Sequence, residues 1–267
     1  MLPVGLIDFL RVARHQGVVN AAGLCSPDRR DSHLTLRPRG ASVAGVRQPD
    51  AGAPAVNARM HPLRLSRQSA DREVFRQVFV NWVYRNPVAE ELPPRVIVDV
   101  GAHIGIASVF FASRFPAAKV VAVEPDEDNF RLLVENTRLY GNIVPLHAAL
   151  WYEDSQLYVE ASEEGSWASR VNTEGRGKPV QGLTLKTLLA SQGLEKVDIL
   201  KLDVEGAEKE IFERDPQVLV NVRALYVELH DYLVPGCARA VYGLASKYNF
   251  SKYQNGEVDI LIFSDRR

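Results

Sequence analysis

The sequence predicts an α/β fold: a doubly wound, mostly parallel sheet that ends in an antiparallel hairpin. Three observations carry this. From Arg95 onward, short apolar runs alternate with amphipathic helical stretches, the order that gives a parallel sheet with helices on both faces. The first run delivers Asp99-Val-Gly101-Ala-His-Ile-Gly105 and opens directly into a helix. Near the end, Asn255-Gly256 separates two strand-like runs, the strongest two-residue hairpin signal.

Taken in order, residues 1–94 read as an irregular N-terminal extension, and residues 95–267 as the main domain. A short amphipathic helix is expected over Leu6–Arg14, and a Pro-, Gly- and Ala-rich loop over 38–62. Val74, Phe75, Val78, Phe79 and Trp82 recur at helical spacing, so Ala70–Tyr84 reads as a helix covering the domain, with Trp82 and Tyr84 as walls. Strands follow at Arg95–Val100, Lys119–Glu124 and Ile143–Leu150, with a helix at Ile104–Phe115 between the first two. Asp126 is a good N-cap for the next helix, whose expected inner face is Phe130, Leu133, Val134 and Tyr140. A strand at Gln156–Glu160 precedes a glycine-bearing stretch, Ala161–Gly182, read as a long polar loop over the acceptor site. Then come a helix at Leu185–Ser191, a fourth strand at Val197–Val204, a helix at Ala207–Glu213, a fifth strand at Ala224–His230 and a helix at Ala238–Tyr248. Phe250–Gln254 and Glu257–Phe263 form the hairpin.

Composition narrows the function. The 267 residues are 46% hydrophobic and 24% charged, with net charge −1, as in ordinary globular proteins. No run approaches the ~18 apolar residues of a membrane span, so no membrane partner is expected. Two cysteines, Cys25 and Cys237, argue against a disulfide scaffold and a cysteine-built zinc site, which suits the cytoplasm. Residues 1–90 carry 13 Arg, no Lys and 7 acids. Those charges are scattered without interleaved aromatics, so nucleic acid is not expected as a partner.

The glycine turn and Glu124, about 20 residues later at the end of the second strand, read as a nucleoside site. Glycine lets the backbone turn sharply close to a ligand, and the acid accepts hydrogen bonds from a ribose diol. A nicotinamide dinucleotide prefers G-x-G-x-x-G, but His103 replaces the middle glycine. Asp99 would repel a pyrophosphate and suits the amino group of S-adenosylmethionine. The methyl donor is therefore favoured over an NAD-linked oxidoreductase or a non-catalytic nucleoside-binding module.

Val96–Gly105, Val123-Glu-Pro125, Leu146-His-Ala-Ala-Leu150, Asp198–Glu208 and Glu228-Leu-His230 together resemble the FkbM family of methyltransferases, over about residues 72–263. The resemblance implies a class I methyltransferase (Rossmann-like) fold with the hairpin as its last two strands. It also implies methyl transfer from S-adenosylmethionine, usually to a hydroxyl of a sugar or natural product. The cofactor set is then Asp99, Gly101, Ala102, His103, Gly105, Glu124, Pro125, Ala149 and Asp203.

The fourth strand places Lys201 and Asp203 on one face of what should be an apolar central strand, with Glu205 just beyond. Glu228 and His230 repeat the anomaly on the fifth. Neighbouring strands would bring these groups together at one edge. An alcohol needs its proton removed, and His230 is the expected base, with Asp203, Glu205 and Glu228 beside it. Lys201 reads as the neutraliser of a buried acid. Its charge competes with a cation, so Mg²⁺ held by the carboxylates is the less favoured mechanism and no metal ligand is assigned.

Overall fold

The computed structural model describes residues 33–36, 61–66, 69–162 and 165–264. The expected helix at Leu6–Arg14 lies outside them, as does the 38–62 loop except for its last two residues. Strand β1 (His33–Leu36) pairs antiparallel with β2 (Leu63–Ser66). Helix α1 (Ser69–Phe79) buries Phe75, Val78 and Phe79, and α2 (Pro87–Glu91) starts at a proline behind its N-cap Asn86. Strand β3 (Val96–Val100), helix α3 (Ile106–Arg114) and strand β4 (Lys119–Glu124) follow. Helix α4 (Glu127–Thr137) is capped by Asp126, whose carboxylate accepts from the N–H groups of Asp128 and Asn129.

Beyond β5 (Ile143–His147) the chain forms β6 (Ala149–Leu150), β7 (Ser155–Ser162), β8 (Gly165–Asn172) and β9 (Lys178–Leu183). Helix α5 (Leu185–Ser191), strand β10 (Val197–Leu202), helix α6 (Glu208–Arg214), strand β11 (Val222–Glu228) and helix α7 (Cys237–Ala245) alternate to the closing hairpin, β12 (Phe250–Asn255) and β13 (Val258–Phe263).

The main sheet runs β12-β13-β11-β10-β3-β4-β5. Strands β11, β10, β3, β4 and β5 are parallel, and β13 is antiparallel to both neighbours. This is the class I methyltransferase arrangement. The chain steps outward from β3 to β5, then returns to lay β10 on the other side of β3. That reversal opens a crevice above the carboxyl ends of β3 and β10, where open α/β sheets bind ligands. Ile97 and Val98 of β3, and Ile199 and Leu200 of β10, are buried, as central parallel strands require. Helix α3 is buried along nearly its whole length between the sheet and α1, with Phe79 edge-on to Phe110 at 5.6 Å.

Several elements depart from the sequence expectation. Helix α1 stops at Phe79, because Trp82 turns into a left-handed conformation (φ 58°). The inner face of α4 is Asn129, Leu133, Asn136 and Thr137, whereas Val134 is 41% exposed and Tyr140 lies past the helix. Asn136 is buried because it bonds the backbone: it donates to the carbonyls of Arg64 and Ile104 and accepts from the Arg64 N–H. The third strand divides, its last residues leaving the main sheet to pair with β9. Most of the expected 161–182 loop is strand, part of a second sheet ordered β6-β9-β7-β8.

Candidate active site

A cavity of about 390 Å³ lies over the carboxyl ends of β3, β4 and β10. That is room for a small ligand or part of a larger one. Val78 of α1, Ile106 of α3 and Leu150 of β6 give it apolar walls, and Tyr84 closes one side. Trp82 is not among its lining residues and packs edge-on to Phe110 at 5.9 Å.

The floor is the glycine turn. Gly101 (φ 72°), His103 (φ 51°) and Gly105 (φ 92°) all take left-handed conformations. For a histidine that conformation costs about 1–2 kcal/mol, and here Glu124 offsets it. The Glu124 Oε2 accepts the His103 N–H at 2.7 Å. Its Oε1 accepts the Asp126 N–H at 2.9 Å and Asn129 Nδ2 at 3.5 Å. A carboxylate offers about four acceptor positions, so roughly one remains for a ligand rather than the two that a diol would use. Burial lifts the Glu124 carboxyl to about 7, with the Asp126 and His103 N–H groups pulling the other way.

Gly101, Ala102, His103, Glu124, Pro125, Ala149 and Asp203 of the expected cofactor set line the cavity. Asp99 and Gly105 do not. Asp99 is fully buried behind the turn, where Lys201 Nζ lies 3.1 Å from Oδ1 and Ser108 donates to Oδ2 at 2.5 Å. There it neutralises Lys201. Gly105 is needed for packing, since a Cβ there would meet Leu133 Cδ1 at 2.8 Å and Thr137 Cγ2 at 3.2 Å. A Cβ at Gly101 would strike the Asp203 carbonyl oxygen at 1.8 Å, so that glycine lets β3 and β10 close over one another. Lys201 Nζ ties the same junction by donating to the Gly101 carbonyl at 2.7 Å. The charge of Asp99 holds the ammonium above its ordinary range, although burial alone would lower it.

At the other end, the tips of β10 and β11 bring the polar residues together. Strand β10 stops at Leu202, so Asp203 lies just past it, followed by Glu205 (φ 52°) and Gly206 (φ 99°) in a strained turn. His230 Nε2 lies 3.6 Å from Asp203, 3.8 Å from Glu205 and 4.0 Å from Glu228. Its Nδ1 is 2.8 Å from Oε1 of the fully buried Glu208. Burial alone would lower the imidazole, but the hydrogen bond and charge of Glu208, with Asp203 and Glu205, carry it to about 9. His230 is therefore protonated at neutral pH, is 1% exposed and is absent from the cavity lining. The expected role of His230 as the base would require it to reach an acceptor in a cavity that it does not line. Asp203, Glu205 and Glu228 all line the cavity. Burial pushes Glu205 to about 7 and Glu228 to about 8, with the Asp203 charge adding to both.

Sequence reasoning noted Glu208 just beyond Glu205 but gave it no role of its own. It missed Tyr232 and Glu257, which line the cavity with no motif to mark them. Glu257 arrives there only because Val258 pairs with Glu228 across the β11–β13 ladder.

No helix among the described residues is long and apolar enough to cross a membrane. The chain is 31% identical over 142 residues to hexuronic acid methyltransferase AglP of Haloferax volcanii, an alignment covering 51% of this chain and 56% of that one. It is 27% identical over 222 residues to AMB antimetabolite synthetase AmbE of Pseudomonas aeruginosa, covering 66% of this chain and 10% of the synthetase. It thus spans about half the length of the first relative and a small part of the second. Among solved structures, Aeropyrum pernix fibrillarin with natively bound S-adenosyl-L-methionine aligns at TM-score 0.39 and 13% identity, over 64% of this chain and 66% of that one. The profile of the methyltransferase FkbM domain matches residues 99–240, more than half of the chain, and the protein belongs to the FkbM methyltransferase family.

Proposed function

We propose that the protein transfers a methyl group from S-adenosylmethionine to a hydroxyl of a small molecule, a sugar or another natural product, in the cytoplasm. One observation carries this: a single cavity has a nucleoside-type cradle at the Glu124 end and a cluster of carboxylates from adjacent strand tips at the other. The cradle suits the cofactor, since Glu124 keeps acceptor capacity facing the cavity beside the apolar surfaces of Pro125, Ala149 and Leu150. The bound cofactor supplies an electrophilic methyl group. The chain's own residues do the rest. Glu124 would hold the ribose, and Lys201 and Gly101 lock the turn against the Asp203 strand end. Glu228, with a pKa near the working range, takes the proton of the acceptor hydroxyl. The buried His230–Glu208 pair positions the three carboxylates. A relative named for hexuronic acid supports a sugar as the acceptor.

A second reading rests on Asp203, Glu228 and His230, whose ligand atoms lie within 4.8 Å of one another and are close enough to share a divalent cation. The experiment is methyl transfer from labelled S-adenosylmethionine to a panel of hydroxylated acceptors, with and without chelator. Glu228→Gln should lower turnover by ~10²–10⁴-fold. Wild-type turnover should rise with pH through about 8, with chelator inert. Loss of turnover on chelation, restored by added metal, selects the cation. Failure to bind S-adenosylmethionine, or tight binding of NAD, overturns the proposal.

A further inference from the structure

The turn between α1 and α2 precedes residues 99–240, the stretch matched to the family. Tyr84 stands within it. The turn is held on two sides: the Arg85 N–H donates to the Trp82 carbonyl at 2.9 Å, and Asn255 of the closing hairpin donates to the Arg85 carbonyl at 2.8 Å. The Tyr84 ring packs on helix α3, with its centroid 5.4 Å from that of Phe111 and 6.5 Å from that of Phe110. A ring fixed in this way costs a ligand little ordering entropy.

Tyr84 is 8% exposed and lines the cavity, yet among the described residues its hydroxyl has no hydrogen-bond partner. A hydroxyl taken out of water without a partner is destabilising, and a ligand that brings an acceptor removes that cost. Burial holds the phenol above its ordinary range, so it keeps its proton and remains a donor. Lys201 is the strongest charge it feels, opposed by Asp203, Asp99 and Glu228. The hydroxyl end of the ring therefore stands near the Lys201 ammonium, which is tied to the glycine turn through the Gly101 carbonyl at 2.7 Å.

An uncharged donor beside an ammonium suits a carboxylate. S-adenosylmethionine brings one. With its ribose at Glu124, the methionine tail is the part left to place, and the cavity wall continues through the glycine turn to Lys201 and Tyr84. On that tail the ammonium donates and the sulfonium is cationic, so the carboxylate is the group that accepts. We propose that the Tyr84 hydroxyl binds the cofactor's carboxylate beside Lys201, so that the segment ahead of the family domain completes the cofactor site. This rests on the methyl-donor reading above.

The test is calorimetry on the full chain with S-adenosylhomocysteine and with its decarboxylated analogue. Tyr84→Phe keeps the ring and its packing and removes the hydroxyl alone. It should weaken S-adenosylhomocysteine by about tenfold or more, the scale of a hydrogen bond to a charged group, and leave the analogue within about twofold. The wild-type protein should bind the analogue more weakly than S-adenosylhomocysteine. Without ligand, the Tm of the variant should equal or exceed that of the wild type, because the hydroxyl has no partner to lose. Unchanged affinity for S-adenosylhomocysteine overturns the inference and leaves the hydroxyl to the acceptor. Equal weakening of both ligands overturns it too, since the carboxylate is then not what the hydroxyl reads. A lowered Tm in the unliganded variant reveals an internal partner and also overturns it. Failure of S-adenosylhomocysteine to bind the wild type overturns the methyl-donor proposal, and this inference with it.

Discussion

Gly101→Ala tests the junction on which the whole site depends. The residue sits at φ 72°, and an added Cβ would lie 1.8 Å from the Asp203 carbonyl oxygen. That is roughly 1.5 Å inside ordinary contact, and the obstacle is backbone, which cannot rotate away. Two costs combine: about 1–2 kcal/mol for an L-residue in the left-handed region, and about 1–3 kcal/mol for the overpacking. A loss of about 2–5 kcal/mol should lower Tm by about 5–15 °C in a chain of this size. Relief of the clash must shift either the glycine turn or the Asp203 strand end. A shift near 1 Å at a reacting group costs ~10²-fold in turnover. Gly175→Ala is the matched control, because Gly175 has φ 82° but nothing within 4 Å of where a Cβ would stand. It should show the conformational cost alone. Thermal unfolding and S-adenosylmethionine titration of the two variants side by side give the answer. Equal Tm and equal affinity in both would refute the steric argument.

Three further outcomes follow from the same geometry. Lys201→Met strands the buried Asp99 charge and should cost about 3–5 kcal/mol, with Asp99→Asn in the same chain restoring part of it in a double-mutant cycle. Glu124→Gln removes a charged acceptor from both the ligand and the His103 N–H, so S-adenosylmethionine affinity by calorimetry should fall by ~10–100-fold. Stability should fall from pH 6.5 to 9. Glu124, Glu205 and Glu228 rise from 4.5 to about 7, 7 and 8, and His230 from 6.5 to about 9, so each holds its proton more tightly when folded. Their contribution is complete below the unfolded values and is lost as pH climbs through the folded ones. His103, lowered by burial, acts oppositely, but only as pH drops through 6.5. A Tm that rises between pH 6.5 and 9 would contradict this.

The parallel strands and the hairpin were legible because each is a short apolar run with its own punctuation: Gly101 after β3, Asp126 after β4 and Asn255-Gly256 between β12 and β13. Of the second sheet, only the β6 and β7 segments were legible, and β8 and β9 were not. Strands such as Lys178–Leu183 alternate buried and exposed residues beside glycines, and their pairing is long-range, so polarity suggested loop. Helix α4 misled for a related reason. Asn136 and Thr137 lie inward because they bond backbone carbonyls, a gain invisible to hydrophobic periodicity. In the site, the polar residues on β10 and β11 announced themselves by breaking an apolar pattern. Which of them faces ligand was not in the pattern, because period-two alternation assigns a face but not a depth along it.

Depth decides the chemistry here. His230 lies beneath the cavity wall, whereas Lys201 and the carboxylates of the strand tips belong to residues that line it. Reversing the depths of His230 and Glu228 would put an imidazolium against the cavity in place of an acceptor for a hydroxyl proton. As built, the cations hold the strand tips together and the acids remain available. The His230–Glu208 pair resembles the base and orienting acid of a hydrolase, but its outer nitrogen meets three carboxylates instead of solvent. Such an imidazole keeps its proton, so proton transfer passes to a carboxyl on the cavity wall. Glu228 is the member lifted to about 8, and it lies within 4.0 Å of the imidazolium that would stabilise its ionised form. Replacing His230 with glutamine should therefore move the pH–rate profile to higher pH rather than abolish turnover, because Glu228 would lose a neighbouring positive charge. An abolished rate with an unshifted profile would return the base to His230.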